Sequence, residues 1–208
     1  MRRAVVAGLV AVVAAALAQA ARAHAGFWDE SSSTATFTAA PSFVSACPAQ
    51  ATLIATADAT IDQLAPVQNF GSATTLTVRS HASKNARGLI GFDLPALGDC
   101  SVLSAQLRLY RKVGAAGRTL AAYRLGSAWT ESSVTWDNAP AATGAPATAA
   151  IAGFSWMTVD VSEQVRGMYR SGNNGLIVED AAEAASSAQS QTFSAAGAER
   201  PQLVLTFG

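Results

Sequence analysis

The side chains of this 208-residue chain that could do chemistry are a few carboxylates, one histidine in the main body and a surplus of arginine over lysine. Glycoside cleavage needs two opposed carboxylates, roughly 5 to 10 Å apart according to mechanism. Glu131, Glu163, Glu179 and Asp180 are the acids from which such a pair could be drawn. Each has a simpler reading. Glu131 stands at the entry to a tryptophan-rich segment, Glu163 completes a capping box with Asp160, and Glu179 with Asp180 ends an apolar run. His81 follows Ser80, but a Ser-His-Asp mechanism needs a nucleophile on a sharp turn such as G-x-S-x-G, which is lacking. Zinc needs four ligands, or three and a water, at characteristic spacings that the two cysteines and His81 do not supply. For calcium the conceivable ligands are Asp58 with Asp62, or Asp99, and turn formation explains those residues more simply. No cofactor is expected.

Binding asks for less than catalysis. A sugar site on a β-sheet uses an aromatic ring against the apolar face of a pyranose and Arg, Asn, Gln or Asp for its hydroxyls. Where the polymer carries carboxylates, arginine pairs with them bidentately. Arg79, Arg108, Tyr110 and Arg124 are expected to point away from the core, by alternation or by charge, as a shared ligand face, with Arg87 and Lys112 at strand ends. Beyond residue 25, nine of eleven basic residues are arginine, a bias suited to carboxylate recognition. The competing reading is ordinary surface, on which outward arginines are common.

The elements that would position these residues are short strands. In Val102 to Arg111, Leu103, Ala105, Leu107 and Leu109 alternate with Gln106, Arg108 and Tyr110, the period of a half-buried strand. Leu76 with Val78, Ile90 with Phe92, Met157 with Val159, Ile177 with its neighbours, and Leu203 with Leu205 and Phe207 supply further strand faces. Trp129 to Pro140 reads WTESSVTWDNAP, which predicts a strand over Ser132 to Trp136 closed by an Asp-Asn-Ala-Pro turn. One helix is expected after Asp160, where Val161, Val165, Met168 and Tyr169 repeat at helical spacing until Ser171-Gly-Asn-Asn-Gly175. Thr143 to Gly153 and Ala181 to Ser190 read as small-residue loops. Strands with frequent turns predict an all-β, jelly-roll-type β-sandwich with one short helix.

Around the tryptophan segment, six others stand in fixed order: Ala55 to Val78, Arg87 to Leu97, Val102 to Arg111, Thr158 to Val165, Ser171 to Val178 and Thr192 to Phe207. The ordered set resembles the DNRLRE domain family, also described as disaggregatase-related or as similar to carbohydrate-binding module family 96, over roughly residues 52 to 207. Phe70 departs from it, standing where the family more often has tyrosine before the glycine, so a hydroxyl is lost. The resemblance implies a sandwich that binds an extracellular or cell-surface polysaccharide without cleaving it. A structural or adhesive protein using the sandwich for protein–protein assembly, and a small polysaccharide hydrolase or lyase, are the alternatives. Trp129, Trp136 and Trp156 are either stacking platforms or buried closures of the sandwich. Their place in the repeated pattern favours closure.

Composition is consistent with one domain: half of the residues are hydrophobic and 13% charged, without a second compositional block. Arg2 and Arg3, an apolar run from Ala4 to Ala21 and Ala23-His-Ala25 predict a signal peptide over residues 1–25, with an uncleaved anchor as the alternative. Its removal leaves 11 basic against 14 acidic residues, the wrong balance for a nucleic-acid partner. No other run reaches membrane length, so no membrane partner is expected after cleavage, and the protein is expected outside the cell. Residues 26–51 read as a Ser/Thr/Ala-rich leader and residues 52–208 as the domain. Cys47 and Cys100, an even pair in an exported chain, predict one disulfide, with two unpaired thiols as the alternative.

Overall fold

The computed structural model describes residues 47–114 and 116–208; the signal-peptide reading and most of the leader fall outside them. Among the described residues eleven strands make one curled antiparallel sheet folded into two layers, as the alternating runs predict. The strands are β1 (Gln50–Ile54), β2 (Ala57–Asp62), β3 (Thr75–Ser80), β4 (Ala86–Gly91), β5 (Val102–Gly114), β6 (Thr119–Leu125), β7 (Ala142–Ala150), β8 (Trp156–Asp160), β9 (Leu176–Asp180), β10 (Gln189–Ser194) and β11 (Gln202–Phe207). The front layer is β8-β5-β11-β1, and the back layer runs β10-β3-β4-β9-β6-β7 with β2 beside β4. β5 joins them. Its 13 residues pair with β8 and β11 at first, and Arg111, Val113 and Gly114 then pair with β10.

The main core lies between the layers. Leu107 and Leu109 of β5, Val159 of β8 and Leu203 and Leu205 of β11 face Leu76, Val78, Ile90, Leu120, Val178 and Phe193 of the back layer. Leu103 breaks the expected pattern: it is 55% exposed, because Phe207 pairs with Val102 and Thr206 with Ser104, leaving Leu103 in a bulge. The Cys47–Cys100 disulfide is formed, with Cα atoms 5.6 Å apart, and packs against this core.

A second apolar cluster covers the other side of the back layer. Ile61 of β2, Leu89 of β4 and Ile177 of β9 meet Leu125 and Val134, with Tyr123, Trp129 and Trp136 packed around them. Adjacent apolar residues such as Leu89-Ile90 and Leu176-Ile177-Val178 are therefore buried on both faces.

Three local expectations are corrected. Ser132 to Trp136 is not a strand: Ser132, Ser133 and Trp136 belong to two turns, with Val134 and Thr135 between them. Its backbone is satisfied by a turn and by side chains rather than by a strand partner: the Ser133 and Val134 N–H groups donate to the Thr130 carbonyl at 3.1 and 2.9 Å, Asn69 Nδ2 donates to the carbonyls of Glu131 and Val134, both at 2.7 Å, and the Thr135 N–H donates to Asn138 Oδ1 at 2.7 Å. Thr143 to Gly153 is strand for most of its length, since β7 pairs along β6 over Ala142–Ala150 and only residues 151–153 lie outside it; its Ala/Thr/Gly composition hides the period. The helix, α1 (Ser162–Ser171), is present without the capping box. Asp160 Oδ1 instead accepts from the N–H and hydroxyl of Ser162, while Glu163 pairs with Arg166 at 2.7 Å.

Candidate functional site

The outward face of the front layer follows from strand alternation. In β8, Met157 and Val159 enter the core, so Trp156, Thr158 and Asp160 turn outward. In β5 the same rule turns Gln106, Arg108 and Tyr110 outward. Register places Tyr110 opposite Trp156, Arg108 between Thr158 and Gln202, and Gln106 between Asp160 and Val204. Thr52, Gln106, Thr158 and Asp160 are exposed, so solvent reaches this face among the described residues.

Trp156 organises one end of the face. The Tyr110 ring meets it edge-on with centroids 5.5 Å apart, and the Arg108 guanidinium lies 4.7 Å from its centroid. Arg108 Nη1 donates to Gln202 Oε1 at 3.0 Å, which fixes the guanidinium over the indole. Among the described residues Arg108 has no carboxylate partner. The result is a half-exposed aromatic pair flanked by an amide and a cation whose remaining donors are free for a ligand.

The four residues expected to share a ligand face are divided. Arg108 and Tyr110 are neighbours. Arg79, on β3, points away from the core as expected but is tied to Asp62 and donates from Nε to the Lys84 carbonyl at 2.5 Å. Arg124 does not point away from the core. It pairs with Leu176 of β9, on the side of Leu120 and Ala122, at the end of the sandwich closed by α1. Its Nη1 donates to the Gly167 carbonyl at 3.2 Å, and it lines a groove of about 830 Å³ between α1 and β7.

Trp129 and Trp136 close the outer cluster of the back layer. Trp129 Nε1 donates to the Asn174 carbonyl at 2.9 Å, and Trp136 carries the Arg87 guanidinium at 4.9 Å. Trp156, grouped with them in the sequence pattern, is the one that faces out beside Tyr110. The alternation Trp156-Met-Thr-Val-Asp160 is the signal that separates it from the other two.

The acids are engaged locally. Arg87 binds Glu183 at 2.6 Å and Glu179 at 2.9 Å, which raises the pKa of the guanidinium, while desolvation raises that of Glu179. Arg118 binds Asp180. Glu131 Oε1 accepts from the Asp58 N–H at 3.0 Å. Burial, then the Glu131 charge, push the Asp58 carboxyl up to about 6, against an opposing effect of Arg200. The Asp160 carboxyl is held low by its bonds from Ser162. His81 Nδ1 lies 3.0 Å from the Ala82 carbonyl, on the back layer. No group of three or more His, Cys, Asp or Glu among the described residues is placed to hold a metal ion, and Asp62 is occupied by Arg79 and the Leu64 N–H. No helix among them is long and apolar enough to cross a membrane.

A comparison with curated proteins returns no match. The family model described as carbohydrate-binding module family 96 matches residues 49–207, from the start of the front layer to the last residue of β11, and on that match the chain belongs to carbohydrate-binding module family 96.

Proposed function

We propose that the protein is a secreted, non-catalytic polysaccharide-binding module whose ligand lies on the outward face of the front layer. The observation that carries the reading is the Trp156–Tyr110–Arg108 cluster on a solvent-reached sheet face. A half-exposed indole offers a flat apolar surface to one side of a sugar ring, and Arg108, Gln202 and Thr158 offer hydrogen bonds to its hydroxyls. Arg108, without a carboxylate of its own among the described residues, suits an acidic sugar. The engagement of Glu131, Glu163, Glu179 and Asp180 by backbone or arginine supports binding without cleavage. The disulfide suits an oxidising, extracellular location.

The test is retention of the purified protein on neutral and acidic polysaccharides, with a parallel assay for released reducing ends and unsaturated products. Retention that Trp156→Ala abolishes, with no product, is the expected result. Product release would make the protein an enzyme. Retention on no polymer would favour a role in protein–protein assembly.

A further inference from the structure

The groove between α1 and β7 meets the open face at its far end. Ser104 and Asp160 line the groove, and both also sit on the outward side of the front layer, Ser104 four residues from Arg108 along β5 and Asp160 two residues from Thr158 along β8. From Trp156 the surface therefore runs along β8 and β5 into the groove without crossing the core.

The charge in the groove is unevenly matched. Arg124, Arg166 and Arg170 line it against Asp160 and Glu163. Glu163 is paired with Arg166 at 2.7 Å, and Arg166 further donates to the carbonyls of Val102 and Leu103. Asp160 holds Ser162. Among the described residues two guanidinium groups are only weakly engaged. Arg170 stands 4.0 Å from Glu163 with two thirds of its side chain exposed, and among the described residues the Arg124 guanidinium has only the Gly167 carbonyl as a partner. Gly167 is what admits Arg124, since a Cβ there would lie 2.6 Å from Arg124 Nε. A partly buried guanidinium with unfilled donors, opening on a groove, is a site for a bidentate anion.

We propose that this groove is an anion subsite: it takes a carboxylate or sulfate borne by the same polysaccharide chain that stacks on Trp156, with Arg124 and Arg170 as its ligands. The inference rests on the open-face reading above and adds a second contact to it, so the preferred ligand is an extended anionic polymer rather than a chain end. Short oligosaccharides fill only the aromatic end. Long chains reach both.

The experiment measures affinity for polygalacturonate, dextran sulfate and unmodified dextran, and for galacturonate dimers, using the intact protein and its Arg170→Gln, Arg124→Gln and Trp156→Ala variants. Arg170→Gln alters an exposed side chain and controls for any folding defect in Arg124→Gln. Each glutamine variant is expected to weaken binding to the charged polymer about tenfold while leaving the dimer unchanged, the size of one lost charge-assisted contact. Preference for polygalacturonate identifies the anion as carboxylate, and preference for dextran sulfate identifies it as sulfate. If Trp156→Ala abolishes binding while both glutamine variants keep full polymer affinity, the groove is overturned and the open-face reading stands. If the glutamine variants weaken polymer binding and Trp156→Ala does not, the open face falls and the continuous track with it. Failure of the protein to bind either charged polymer overturns the proposal.

Discussion

Each layer of the sandwich has a second face turned from the shared core, and the two faces are finished in opposite ways. On the back layer, Ile61, Leu89 and Ile177 are roofed by Val134, Trp129 and Trp136. The arginines there are neutralised, Arg79 by Asp62 and Arg87 by Glu179 and Glu183. On the front layer no such roof lies over the outward positions among the described residues: Thr52, Gln106, Thr158 and Asp160 are exposed alongside Ile54, and Arg108 rests on Trp156 without a carboxylate. Arginine stacks on tryptophan on both faces, at 4.9 and 4.7 Å. What differs is the counter-charge. An arginine already held by carboxylates has little to offer a ligand, so a site is located by the partners its arginines lack rather than by their number.

If the back face is structural, damage there costs stability. Ile177 is 1% exposed beneath the roof. Ile177→Ala is expected to lower unfolding free energy by about 3 kcal/mol, read from urea denaturation, with ligand affinity of the folded fraction unchanged. Gly71→Ala comes next. A Cβ there would sit 2.1 Å from the Glu131 carbonyl oxygen, pushing on the segment that carries the roof. A loss of about 2 kcal/mol is expected. A change in polysaccharide affinity from either variant would blur the division between the faces.

Asp58 sharpens it by pH. Its carboxyl is 4% exposed beside Glu131, with a pKa near 6 against 3.8 for the free group. Between those values the folded protein binds the proton more tightly than the unfolded chain, so the stability contribution falls as pH rises from about 4 to 6 and stays low above. Asp58→Asn removes the penalty. It is expected to raise stability by up to about 2 kcal/mol at pH 8 and to match the parent near pH 4. Equal midpoints at both pH values would show that Arg200 cancels the effect of burial and Glu131.

The legible parts of this molecule are those where the period of two survives. β5 and β8 show it, and with them the outward set of Gln106, Arg108, Tyr110 and Trp156. The family resemblance groups Trp156 with two roofing tryptophans, whereas the alternation of β8 turns it outward. At Arg124 alternation prevails over charge, since Leu120, Ala122 and Arg124 share a parity and the guanidinium follows the two apolar residues inward. The end of the sandwich accepts it because α1 presents a glycine there. The WTESSVTWDNAP segment looked like a strand because its β-branched and aromatic residues fit one. Two of its carbonyls, those of Glu131 and Val134, are instead held by Asn69, more than sixty positions away, and no local pattern encodes that. β7 was hidden by small residues whose alternation buries almost nothing.

The smallest effect on stability and the largest on binding are expected at the same residue. Trp156 is half-buried on an open face, so Trp156→Ala is expected to change unfolding free energy by about 1 kcal/mol or less. Its loss removes the stacking surface and releases Arg108 and Tyr110 together, and polysaccharide affinity is expected to fall at least about tenfold. Trp136→Ala is its mirror: Trp136 is also half-buried and also under an arginine, but it belongs to the roof, so stability falls and affinity does not. Two tryptophans with the same cationic neighbour thus separate the faces in one pair of measurements. If both variants lose affinity in proportion to lost stability, the open face has no role of its own and the site lies elsewhere.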